Sequence, residues 1–87
     1  MDFSRKIDIS GIIMPNNWDE TGRIIEIALY ANNEEVYVVE HNILTEELMK
    51  FMHQCVEIRG KIRGHPDGRK FLFAHNCTPL NEMLKDE

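Results

Sequence analysis

Residues 55–77 read CVEIRGKIRGHPDGRKFLFAHNC. Val56, Ile58, Gly60 and Ile62 alternate with Glu57, Arg59, Lys61 and Arg63, the period of two that gives a strand one apolar and one charged face. His65, Pro66, Asp67 and Gly68 suit a type I turn followed by glycine, since proline presets the first turn dihedral and glycine accepts positive φ. RKFLFAHNC is then the returning strand of a hairpin. Its inward face depends on the turn. A three-residue loop puts Phe71, Phe73, His75 and Cys77 on the face of Arg59 and Lys61, whereas a difference of one residue sends Phe71 and Phe73 into the core and Leu72 and Ala74 outside. Burial stabilises by ~1.5–3 kcal/mol per Phe ring, so the inward arrangement of Phe71 and Phe73 is the expectation.

Upstream, IDISGIIM (residues 7–14) is dense in β-branched residues, and Gly11 marks a bulge or bend in a first strand. Pro15, Asn16 and Asn17 end it, and a polar loop carrying Trp18 runs to Gly22. RIIEIALYA (residues 23–31) alternates Ile25, Ile27, Leu29 and Ala31, the expected core face, with Ile24, Glu26, Ala28 and Tyr30. Asn32 and Asn33 connect it to EEVYVVEH (residues 34–41), completing a hairpin. Thr45 has the chemistry of an N-cap before EELMKFMHQ, where Glu46 and Glu47 complement the helix dipole and Leu48, Met49, Phe51 and Met52 have helical spacing. This predicts a helix of about two and a half turns. The tail TPLNEMLKDE suggests a further helical turn through Leu80, Met83 and Leu84.

The predicted fold is mainly β with one short helix, in the order β-β-β-α-β-β. The glycine in the first strand, the helix between strands three and four and the V-x-I-x-G-x-I fourth strand resemble the oligonucleotide/oligosaccharide-binding (OB) fold, a five-stranded barrel. The resemblance covers residues 5–80 within a single domain spanning 1–87, with 81–87 as a tail. A split sheet covered by one helix is the competing arrangement.

The chain has 10 Lys and Arg against 15 Asp and Glu, a net charge of −5, which argues against a protein that coats nucleic acid by charge alone. The charge is segregated. Arg59, Lys61, Arg63, Arg69 and Lys70 stand against the single acid Asp67 in residues 59–70. No apolar run approaches the ~20 residues of a membrane-spanning helix, and MDFSRKIDIS lacks a signal peptide's apolar centre, so the expected location is cytoplasmic. Cys55 and Cys77 are too few for a disulfide framework and are expected as packed thiols.

By the OB resemblance, the ligand face comprises strands two and three with the loops joining strands one to two and four to five. Carried onto this chain, it includes Trp18, Tyr30, Tyr37, His41, Arg63, His65, Arg69 and Lys70. Single-stranded nucleic acid is held by aromatic stacking and by cations along its phosphates. The expected function is therefore a non-enzymatic module for that ligand, with Tyr30 and Tyr37 stacking and Arg59, Lys61, Arg63, Arg69 and Lys70 on phosphate.

Each residue also has a structural reading. Tyr30 and Tyr37 make a plausible cross-strand pair, Trp18 either plugs the barrel or protrudes, and Arg59, Lys61 and Arg63 form a solvated strand face. Glu26 and Glu40 oppose phosphate unless paired with cations. The alternative function is a protein-interaction or assembly module, with a partner protein or a homo-oligomer. His53-x-Cys55 and His75-x-Cys77 bring two thiols and two imidazoles to one hairpin, but their spacing is no established zinc pattern and no metal or other cofactor is expected. Phosphate loops, nucleophile elbows and H-E-x-x-H are absent from the sequence, so no catalytic residues are assigned.

Overall fold

The computed structural model describes residues 5–80. Strands β1 (Arg5–Trp18), β2 (Ile24–Ala31) and β3 (Val36–Val39) precede helix α1 (Thr45–Met49), and β4 (Cys55–Gly64) and β5 (Lys70–Pro79) follow it. The five strands close into a barrel in the order β1-β2-β3-β5-β4. Neighbours pair antiparallel except β3 and β5, which run parallel and complete the closure through Tyr37–Lys70, Val38–Phe71 and Val39–Leu72. The length of β1 lets it serve both neighbours. Gly11 and Ile12 pair with Ala31 and Tyr30 of β2 on one side and with Val56 and Cys55 of β4 on the other.

Ile13, Ile27, Leu29, Tyr37, Val39, Leu48, Val56, Ile58, Leu72 and Ala74 form the core. Within the expected inward face of β2, Ile27 and Leu29 are buried, but Ile25 is 54% exposed. The β1–β2 ladder shifts at Asn17 and again at Trp18, which breaks the alternation at the strand's end. Ala28, on the other face, is fully buried, being a small residue between Met14 and Val38 on the neighbouring strands.

Helix α1 is shorter than its sequence pattern suggests. The chain turns between Lys50 and Gln54 to enter β4, His53 adopts φ 67°, and the His53 amide donates to the Ile13 carbonyl. Met52 forms a bridge to Ile13, so the second half of the apolar pattern packs on β1 instead of continuing the helix. Thr45 lies inside the helix, whose N-cap position is Leu44. The entry is organised by Asn42: its amide donates to Thr45 Oγ1, its side-chain oxygen accepts from the Leu44 amide, and its Nδ2 donates to the Ala74 carbonyl of β5. Leu48 inserts into the core. The expected tail helix beyond Leu80 lies outside the described residues.

The β4–β5 hairpin corrects the expectation for Phe71 and Phe73. The His65 amide donates to the Arg69 carbonyl and the Gly68 amide to the His65 carbonyl, enclosing the three-residue loop Pro66–Gly68 with Gly68 at φ 95°. Leu72 and Ala74 consequently point inward, while Phe73 is 38% exposed and Phe71 is half-buried on the outer face. The backbones of neighbouring strands also approach closely at this level. A Cβ on Gly60 would run into the Phe73 carbonyl oxygen, and one on Gly11 would meet the Tyr30 carbonyl, so both glycines mark places where backbones approach too closely for a side chain.

The β4–β5 register shifts between Arg59 and Gly60, which face Asn76 and Ala74, leaving His75 as the extra residue. The shift returns Cys77 to the core side, opposite Ile58, while Cys55 pairs with Ile12 on the outer face. Replacing Gly60 with Ala should cost about 1–3 kcal/mol or more in a urea melt, because the obstruction is backbone. Gly64→Ala, with open space around it, should stay within about 0.5 kcal/mol of the parent.

Candidate functional site

The eight residues expected to bind nucleic acid do not form one surface. Tyr37 is 4% exposed and faces the core beside Leu29, with its hydroxyl at the rim accepting from Asn33 Nδ2. Its ring is therefore unavailable for stacking. The reason is parity: Tyr30 pairs with Val36, so the next pair, Leu29 with Tyr37, points inward. Tyr30 remains 46% exposed on the outer face, so the two tyrosines form no cross-strand pair. Trp18 is 51% exposed and protrudes.

The loop behind Trp18 is held by Asp19, whose Oδ1 accepts from the Thr21 amide, the Thr21 hydroxyl and the Arg23 amide. These hydrogen bonds, the Thr21 hydroxyl first, hold the Asp19 carboxyl below its ordinary value of 3.8.

Four of the five expected phosphate-binding cations have carboxylate partners. Arg63 bonds Glu40 at 2.7 Å, Arg69 bonds Asp67 at 2.8 Å, Lys70 bonds Glu35 at 2.9 Å and Arg59 reaches Asp8 at 3.3 Å. Arg69 also lies over the Phe71 ring, 5.3 Å from its centroid. Arg63, Arg69 and Phe71 line a groove of about 440 Å³ beside Glu26, Glu40 and His41, on the side that the OB resemblance nominates. Its cations are matched by acids, so it offers little net charge to a phosphate.

A second surface lies on β1, β4 and β5. Lys61 is directly opposite Lys6 on β1 and directly opposite Phe73 on β5. Neither lysine has a salt-bridge partner among the described residues. The His75 ring leans against Phe73 with centroids 5.3 Å apart, an arrangement that the extra residue in β5 allows. Lys6, Arg59, Gly60, Lys61 and His75 line a depression of about 410 Å³. Arg59 keeps 70% of its side chain exposed, so its long contact to Asp8 leaves it free to turn toward a ligand. Two like charges directly opposite across strands are destabilising. Three cations and two aromatic rings on one outer face have the chemistry of an anion site with a stacking surface.

The sequence offered Arg59, Lys61 and the conditional outward placement of Phe73 and His75, but did not point to Lys6. Its pairing with Lys61 joins positions 55 residues apart and is visible only in the register. The two H-x-C pairs are not assembled. Cys55 and Cys77 are free and point to opposite faces of the β4 layer, and burial pushes the Cys77 thiol up from 9.0. Among the described residues, no three His, Cys, Asp or Glu side chains are grouped to hold a metal ion, and no helix is long and apolar enough to cross a membrane. Compared with known proteins, the chain matches no family model, no curated protein and no solved structure.

Beside the cation surface, Asp8 raises the Glu57 carboxyl above its ordinary value of 4.5, through hydrogen bonding to the protonated form and then through charge repulsion, while Arg59 partly offsets the shift. The native state therefore holds this proton more tightly than the unfolded chain. Its stabilising contribution is full below pH 4.5 and is lost as pH rises through the higher native value. Glu57→Gln should remove this loss, so the parent-to-variant difference in melting temperature should grow in the variant's favour from pH 4 to pH 7. Asp19 has the opposite sign. Its contribution is present above pH 3.8 and falls away in acid, and Asp19→Ala should red-shift Trp18 emission at neutral pH as the loop loosens.

Proposed function

We propose that the chain is a non-enzymatic module of the OB superfamily that binds single-stranded nucleic acid, using the outer face of β1, β4 and β5. The superfamily reading rests on the closed five-stranded barrel, the parallel β3–β5 pairing and the helix between β3 and β4. A reducing, cytoplasmic setting is consistent with the two free thiols.

The observation that carries the ligand reading is the Lys6–Lys61 pair beside the exposed Phe73 ring. Lys6, Lys61 and Arg59 supply cations for successive phosphates, and Phe73 with His75 supplies a surface for a base. Stacking on such a ring is sequence-tolerant because every base has a π face. A duplex hides its bases and cannot use the ring, so the preference is for a single strand. The small number of free cations and the acidic body imply modest affinity that weakens with salt.

Fluorescence polarisation of labelled single-stranded DNA and RNA, with duplex controls, tests this reading across a salt series. Each of Lys6→Ala and Lys61→Ala should reduce the slope of log affinity against log salt by about 0.7. Phe73→Ser should cost about 1–3 kcal/mol of binding at every salt concentration. Arg63→Ala should leave binding unchanged, since Glu40 already neutralises that side chain. Absence of binding at low salt would refute the proposal, and equal losses from Arg63→Ala and Lys61→Ala would move the site to the β2–β3 side.

A further inference from the structure

The outer face of β1, β2 and β3 shares β1 with the cation surface, Ile12 lying further along the strand than Lys6, and differs from it in chemistry. Ile12, Tyr30 and Val36 occupy one row, each directly opposite the next, and are 43%, 46% and 43% exposed. Met14, Ala28 and Val38 form the adjoining row, with Phe71 beside Val38 on β5. Ala28 keeps the middle of this second row low, so the exposed side chains of the first row stand beside a shallow apolar floor. An apolar area continuous across three strands is unlike the scattered single residues of an ordinary surface.

Acids bound this area along the strand direction. Glu26 shares the outer face of β2 with Ala28 and Tyr30 and bonds the neutral Asn16 amide at 2.9 Å, while Arg63 and Arg69 of the adjoining groove are paired with Glu40 and Asp67. At the other end, the β2–β3 turn carries exposed Glu34, which has no ion pair among the described residues, and Glu35, which is paired with Lys70. Both sides of β2 are occupied by β1 and β3, so a ligand meets side chains here and cannot add a strand to β2.

We infer that this face docks a cationic polypeptide segment of a partner protein, with apolar side chains covering Ile12, Tyr30 and Val36 and with flanking Lys or Arg meeting Glu26 and Glu34. Charge decides between occupants. A second copy would bring the same acids against these acids, and a nucleic acid or an anionic membrane would be repelled. A basic segment with an apolar centre satisfies both the rows and their ends.

The test uses the full chain labelled with ¹⁵N and two synthetic peptides that share a central Leu/Val run, one flanked by lysines and the other by glutamates. The lysine peptide should shift the amide resonances of Ile12, Tyr30 and Val36 and should bind at least about tenfold more tightly than the glutamate peptide. Tyr30→Ser and Val36→Ser, each verified as folded by thermal melt, should weaken it about tenfold, and Glu26→Gln should narrow the preference between the peptides. Equal binding of the two peptides, shifts confined to other strands, or no binding would overturn the inference. Oligonucleotide binding by Tyr30→Ser should match the parent, so this result and that for the cation surface stand independently.

Discussion

At Gly60 the backbone of β4 passes so close to Phe73 of β5 that no side chain fits between them. Much of the outer surface follows from that contact. It leaves position 60 without a side chain opposite Ala74, and it coincides with the register shift that makes His75 an extra residue. Phe73 and His75 are thereby exposed together beside Lys61. Gly11 makes the corresponding close approach on β1, where the same strand bonds to β2 and to β4. Both glycines thus sit where β1 and β4 approach a neighbouring strand too closely for a side chain.

The parts of the fold that depend on local chemistry were legible. The alternation of β4, the Pro66–Gly68 turn and the apolar density of β1 follow from a period of two and from proline and glycine at the break. Pro15, Asn16 and Asn17, however, expected to end the first strand, lie within β1, which stays paired with β2 as far as Trp18. Parity was less legible. Residues 70–74 are apolar or amphipathic on both faces, so burial energy favoured the Phe rings, yet the Pro66–Gly68 loop fixed the opposite register. Local turn geometry prevailed because shifting a hairpin by one residue would unpair its ladder, whereas an outward Phe71 stays half-buried under cover from Val38 and Arg69. Tyr37 misled for a similar reason. Val36 and Val38 are as apolar as Tyr37 and Val39, and only pairing with β2 selects the inward set.

The site was legible as composition but not as arrangement. Five cations in twelve residues made segment 59–70 stand out, but phosphate responds to charge that is not already neutralised. Glu40 is 23 residues from Arg63 in sequence and Glu35 is 35 from Lys70, separations at which no pattern rule foretells an ion pair. Lys61, without an ion-pair partner among the described residues, lies opposite Lys6, another long-range neighbour. Counting cations overstates a binding surface whenever the fold brings acids beside them.

This pairing also explains how an acidic chain can retain a positive face. Ion pairs between exposed side chains stabilise a small barrel little, so Arg63–Glu40, Arg69–Asp67 and Lys70–Glu35 matter more for the charge they remove from the surface. They leave the β2–β3 side nearly neutral at its centre with acids at its ends, while Lys6 and Lys61 on the β1–β4 side have no salt-bridge partner among the described residues. The two faces share β1 and extend from it in opposite directions round the closed ring, one onto β4 and β5 and the other onto β2 and β3. Ligands of opposite charge need not compete for such a barrel, because each would be repelled from the other's face, and the separation is produced by register instead of by a second domain.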